Sequence, residues 1–111
     1  MNDHILDTLF QVIQDRKTNP SENSYTSSLM QKGIDKILKK IGEEATEVVI
    51  AAKGGKREEI VYESADLIFH LLVLLAQCDI PLEDVHAELR RRFGTSGIEE
   101  KKSRSMPPCN E

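Results

Sequence analysis

Glu43, Glu44 and Glu47 stand inside KKIGEEATEVVIAAK (Lys39 to Lys53), and Glu59, Glu63 and Asp66 follow in the next segment. Carboxylates three or four residues apart share one side of a helix. There like charges repel by about a few tenths of a kcal/mol each in water, and by far more where water is scarce. A divalent cation between them supplies the positive charge that burial otherwise lacks. Glu44 with Glu47, and Glu63 with Asp66, form two i, i+3 pairs that can face each other across a helix pair. All-oxygen ligation suits magnesium or manganese better than zinc, and magnesium, with its retained waters, serves phosphate chemistry.

An acidic stripe is ordinarily a solvated face. Two features argue beyond that here: there are two pairs, and one lies on a segment with no other polar sector. Lys32, Lys36, Lys39 and Lys40 precede the glutamates, either for solubility or as a phosphate grip beside the ion. His70, four residues after Asp66, reads as a core histidine orienting Asp66 or Glu63 rather than as a ligand. Glu83 and His86 make one Glu-x-x-His, but di-iron bundles need that element on two helices. Arg90, Arg91 and Arg92 suit the negative end of a helix and read as structural.

The elements that must carry these groups are helical. Ile5, Leu6, Leu9, Phe10, Val12 and Ile13 recur at helical spacing from Asp3 to Arg16, with Asp3 as a cap. Lys17 to Ser24 is turn chemistry. Tyr25 to Lys32 reads as a short helix capped by Thr26 or Ser27 and ended by Gly33. Ile34, Ile37, Leu38, Ile41, Ala45, Val48, Val49 and Ala52 predict a long helix stopped by Gly54 and Gly55. Lys56 to Gln77 is a second long helix. Asp79, Ile80 and Pro81 begin a last one, with Pro81 suited to its first turn, striped by Leu82, Val85, Leu89 and Phe93. The class is all-α, residues 1–102 forming one domain and 103–111 a flexible C-terminal tail.

At about 100° per residue the apolar arc of the Ile34 to Ala52 helix centres on Ile34, Ala45 and Ala52. Glu44 lies roughly 80° from that centre, Glu47 roughly 140°, and Glu43 opposite. Lys40 falls between Glu44 and Glu47 in angle. The Lys56 to Gln77 helix has Ile60, Val61, Leu67, Ile68, Phe69, Leu71, Leu72 and Leu75 around most of its circumference, which predicts burial on nearly all sides. Its polar stripe is Glu59, Glu63, Asp66 and His70.

Composition limits the classes. With 111 residues the chain holds one core, and a net charge of -4, from 19 acidic against 15 basic residues, argues against nucleic acid as a partner. Cys78 and Cys109 match no zinc spacing and fit a reducing cytoplasm. The first twenty residues lack a signal-peptide pattern. The longest apolar run, Leu71 to Ala76 with Leu67 to Phe69 before it, is too short for a bilayer, so no membrane partner is expected.

Glu43-Glu44-x-x-Glu47, a fifteen-residue gap and Glu63-x-x-Asp66 resemble the signature of the all-α, MazG-like nucleoside triphosphate pyrophosphohydrolases. Within that group, Ser24-Tyr25-Thr26 with Leu29 and Gly33, KKIGEEATEVVIAAK, ESADLIFHLLVLL and RRFGTSGIEEK resemble the phosphoribosyl-ATP pyrophosphatases of histidine biosynthesis, over about residues 9 to 104. The resemblance implies a MazG-like bundle of about four to five helices completed as a homodimer. It also implies magnesium-dependent hydrolysis of phosphoribosyl-ATP to phosphoribosyl-AMP and pyrophosphate, the second step of that pathway. The metal ligands it implies are Glu44, Glu47, Glu63 and Asp66, with Glu43 auxiliary. Tyr25 of the SYT segment joins the substrate-binding expectation. In many organisms a cyclohydrolase is fused to this activity; no Cys and His cluster is present here for its zinc, so a stand-alone enzyme is expected.

The residues agree on mechanism. No Ser or Cys nucleophile has an adjacent base, and a carboxylate cage implies metal-activated water attacking phosphorus at the α,β anhydride. Glu43 or Glu47 is the candidate base, and Lys36, Lys40 and Arg16, with Lys32 nearby, are the candidate cations for the leaving pyrophosphate. Two other readings stand beside this one: a house-cleaning pyrophosphatase for ordinary or damaged nucleoside triphosphates, and a noncatalytic helical module whose acidic stripe meets a basic partner.

Overall fold

A computed structural model of the chain describes residues 4–93 and Lys101. Among them are five helices and no strand: α1 (Ile5–Thr18), α2 (Tyr25–Gln31), α3 (Ile34–Gly54), α4 (Arg57–Gln77) and α5 (Leu82–Arg92). The all-α class holds. Asp3, Cys109, residues 94–100 and the expected tail 103–111 lie outside the described residues.

Helix boundaries depart from expectation where side chains meet backbone. α1 runs through Lys17 and Thr18 because polar groups satisfy its last turn: Thr18 Oγ1 donates to Gln14 O at 3.0 Å and Asn19 Nδ2 to Asp15 Oδ1 at 2.9 Å. The cap of α2 is Ser24 rather than Thr26 or Ser27; its hydroxyl accepts the Ser27 N–H at 3.1 Å. Ser27 is buried and used elsewhere. Its Oγ accepts the Ser21 N–H at 3.1 Å and donates to Arg16 O at 3.3 Å, which ties α2 to the end of α1.

α3 and α4 form an antiparallel pair joined by only Gly55 and Lys56. Gly55 has φ +76°, a left-handed conformation that glycine adopts without a Cβ penalty, and its N–H closes on Ala51 O and Ala52 O, both at 3.2 Å. The far end of α4 achieves the same with an aspartate. Asp79 sits at φ +58°, its N–H reaches Ala76 O at 3.1 Å, and the Ile80 N–H reaches Leu75 O at 2.9 Å. Lys17 Nζ then donates to Ala76 O and Gln77 O, both at 3.1 Å, and to Asp79 Oδ1 at 2.8 Å. The end of α1 thereby supplies a donor to Gln77 O and a second one to Ala76 O.

The core draws on every helix: Phe10 and Ile13, Leu29 and Met30, Ile37, Leu72, Val73 and Ala76, and Leu82. Two sequence expectations fail here. Ile34, Ala45 and Ala52 are exposed; the line of α3 that turns inward is Ile37, Glu44 and Ala51. On α4, Val61, Tyr62, Ile68 and Leu71 are exposed, so that helix is not covered on nearly all sides. Both results have one cause. α3 and α4 are each other's principal neighbours, and the remaining helices reach only one flank of the pair. Half of each apolar arc therefore meets solvent in the single chain.

Candidate metal centre

The α3–α4 pairing brings the carboxylates together. Glu44 from α3 and Glu63 and Asp66 from α4 each offer an oxygen, and the three oxygens lie within 4.8 Å of one another. Glu44 is buried at 8% exposure, while Glu63 and Asp66 are half-buried. By its angle on the helix Glu44 falls at the border of the core; the inward turn of α3 takes it inside.

Lys40 completes the cluster one turn earlier on α3. Its Nζ lies 3.4 Å from Glu44 Oε2 and 3.5 Å from Glu43 Oε1. Desolvation opposes the Lys40 charge, yet the Glu44 hydrogen bond and the fields of Tyr25, Glu44 and Glu43 outweigh it and leave its pKa raised. Glu43 is thus exposed, as expected, but engaged with Lys40.

A single ammonium does not balance these carboxylates. Desolvation, followed by the charges of Glu47, Glu44 and Asp66, pushes the Glu63 carboxyl above its ordinary range. Glu47 stands outside the set of three converging oxygens and is exposed, but its charge is the largest electrostatic influence on Glu63. Three oxygen donors in excess of their counter-charge, two of them on half-buried residues, fit a hard divalent cation that keeps some of its waters.

Tyr25 borders this cluster. Its ring stacks on Phe69 at 6.2 Å, and its hydroxyl meets His70 Nε2 at 2.9 Å. Burial raises the pKa of that hydroxyl, Lys40 pulls it back, and Asp66, Glu44 and Glu43 raise it further, so it stays protonated at neutral pH. His70 touches the Asp66 main chain, its Nδ1 lying 2.8 Å from Asp66 O. It does not orient the carboxylates as the sequence suggested, because its second nitrogen faces Tyr25. No spacing signal links positions 25 and 70.

The other candidate cations are placed differently. Arg16 NH1 pairs with Asp15 at 3.0 Å. Lys32 is exposed at the end of α2 and Lys36 is half-buried on α3. Arg90 pairs with Glu83, and Glu88 takes Arg91 and Arg92 at 2.8 and 2.9 Å, which holds its carboxyl down at about 2. His86 lies between Glu83 at 3.4 Å and Asp7 at 3.8 Å, bridging α5 to α1. These contacts support the structural reading of the arginines.

Comparison with known proteins bears on the same residues. The family model described as "Phosphoribosyl-ATP pyrophosphohydrolase" matches residues 6–93, which include all five helices but for the first residue of α1. A "Phosphoribosyl-ATP pyrophosphatase" of Geotalea daltonii is 70% identical over 104 residues, covering 94% of this chain and 98% of that one. One from Methylococcus capsulatus is 57% identical over 102 residues, 92% and 97% of the two chains. The "Histidine biosynthesis bifunctional protein HisIE" of Caldanaerobacter subterraneus is 60% identical over 89 residues, 80% of this chain but 43% of that longer protein. A match of this extent, centred on helices that gather Glu44, Glu63 and Asp66, decides the kinship: the chain belongs to the phosphoribosyl-ATP pyrophosphohydrolase family.

Proposed function

We propose that the protein hydrolyses the α,β phosphoanhydride of phosphoribosyl-ATP, giving phosphoribosyl-AMP and pyrophosphate in histidine biosynthesis, with magnesium bound and manganese as a substitute. The observation that carries this reading is the convergence of Glu44, Glu63 and Asp66 within 4.8 Å, in a chain up to 70% identical to phosphoribosyl-ATP pyrophosphatases.

Glu44, Glu63 and Asp66 hold the ion, with Glu47 as the fourth carboxylate beside Glu63. When bound, magnesium polarises phosphate oxygens and makes an adjacent water a better nucleophile. Everything else falls to the chain. Glu47 or Glu43, both exposed, takes the proton from the attacking water. Lys40 shifts part of its charge from the carboxylates to the phosphates, and Lys36, Lys32 and Arg16 are the further cations offered to the leaving pyrophosphate. Tyr25 contacts the substrate beside the ion.

The protein acts as a homodimer in the cytoplasm. The support for the dimer is the open apolar flank of α3 and α4, where Val49 is 67% and Tyr62 69% exposed. No single described helix is long and apolar enough to cross a membrane. Cys78 is a free, exposed thiol.

The deciding experiment offers the protein phosphoribosyl-ATP beside ATP, dCTP and dUTP with magnesium and compares pyrophosphate release. Preferential turnover of phosphoribosyl-ATP is expected. Preference for a simple triphosphate would replace the substrate and keep the mechanism.

A further inference from the structure

Resting on that functional reading, we propose that His70 is a positioning residue: it holds the Tyr25 ring as a fixed aromatic wall of the substrate site, against which the nucleoside part of phosphoribosyl-ATP packs. His70 is 3% exposed and touches none of the three converging carboxylates through its ring nitrogens. Its Nδ1 faces the Asp66 carbonyl at 2.8 Å, and a carbonyl only accepts, so Nδ1 carries the proton. In the neutral ring Nε2 is then bare and accepts the Tyr25 hydroxyl at 2.9 Å.

That chain of bonds gives one turn of α4 two tasks. The Asp66 carboxylate is one of the three that would hold the ion, while its carbonyl fixes the imidazole that anchors Tyr25. Because His70 uses the main chain, both carboxylate oxygens of Asp66 stay available. Phe69 packs on the Tyr25 ring at 6.2 Å with planes 29° apart, and His70 meets it edge-on at 5.9 Å. Stacking alone leaves a ring free to slide; a hydrogen bond at its far end fixes its direction. Yet Tyr25 remains 53% exposed. An aromatic side chain on a seven-residue helix, pinned at its tip and open to water beside an ion site, is a preorganised contact surface.

The test is a double-mutant cycle in the full-length protein with phosphoribosyl-ATP and magnesium. Tyr25→Phe and His70→Leu are each expected to raise KM about tenfold while lowering kcat less, and the double variant to be little worse than either single one. His70→Gln, whose amide oxygen can accept the Tyr25 hydroxyl, recovers part of the loss. Nitrogen-15 spectra of the ring without substrate are expected to show the Nδ1–H tautomer, with Nε2 shifted by Tyr25→Phe. Additive penalties, or an unchanged KM in Tyr25→Phe, would overturn the proposal even where His70→Leu folds poorly. If the wild type releases no pyrophosphate from phosphoribosyl-ATP, the functional reading itself fails, an outcome separable from failure of the cycle.

Discussion

Lys40 Nζ lies 3.4 Å from Glu44 Oε2, and this ion pair is the counter-charge that lets a glutamate stay buried beside Glu63 and Asp66. The pair sits within one helix, so it exists before any ion arrives. Glu44→Gln keeps the side-chain shape and leaves Lys40 with Glu43 at 3.5 Å. Melting followed by circular dichroism without metal is expected to be unchanged or slightly higher, because one repelling charge is gone. Pyrophosphate release with magnesium is expected to fall by roughly a hundredfold or more.

Glu63 sets a pH dependence whose sign follows from its raised pKa. The folded state holds the Glu63 proton more tightly than the unfolded chain, where the carboxyl titrates near its ordinary 4.5. Its contribution to stability is therefore complete below that value and is lost as pH rises through the raised folded pKa. Metal-free protein should lose melting temperature across that window, and Glu63→Gln should flatten the loss. Added magnesium is expected to raise the melting temperature above the window and to lose that effect below it, since protonated carboxyls do not ligate.

The long-range cap on α4 predicts a stability effect away from the site. Lys17→Met strips donors from Ala76 O and Gln77 O and leaves Asp79 unpaired. The Asp79 contact is exposed and adds little, and Ala76 O keeps the Asp79 N–H, so a loss of about 1 kcal/mol or less in urea unfolding is expected, chiefly from Gln77 O. Magnesium affinity, measured by calorimetry, is expected to stay the same.

Much of this was legible in the sequence. The periods of α3 and α4 and the glycine stop between them follow from local spacing; so does the expectation that the pairs Glu44–Glu47 and Glu63–Asp66 face each other, of which Glu44, Glu63 and Asp66 converge and Glu47 stands outside. Spacing did not yield the azimuth of α3, because its apolar arc is wider than one partner needs, and which half turns inward depends on α4. The Ile34, Ala45 and Ala52 line is thus exposed, while Glu44 goes in. Nor did it yield the link between Tyr25 and His70 or the cap by Lys17, since each joins residues far apart in the chain with no periodic signature. Ser24 was legible in principle as the serine directly before the helix, but Ser27 competed for the role.

The open flank predicts the assembly. Sedimentation of the wild type is expected to give twice the 12.5 kDa chain mass, and Val61→Glu, which places a charge among Tyr62, Ile68 and Leu71, is expected to shift it toward the monomer. A wild type that sediments as a monomer at micromolar concentration would remove the dimer from the reading.

The two-residue connection at Gly55 and Lys56 has a consequence for ion selectivity. With so short a hinge, α3 and α4 cannot drift apart independently, and a change in their crossing angle becomes a change in the distance between Glu44 and the Glu63–Asp66 pair. On the proposed reading the ion site is set by helix packing as well as by its ligands, and replacing Gly55 by alanine is expected to change the relative affinities for magnesium and manganese measured by calorimetry.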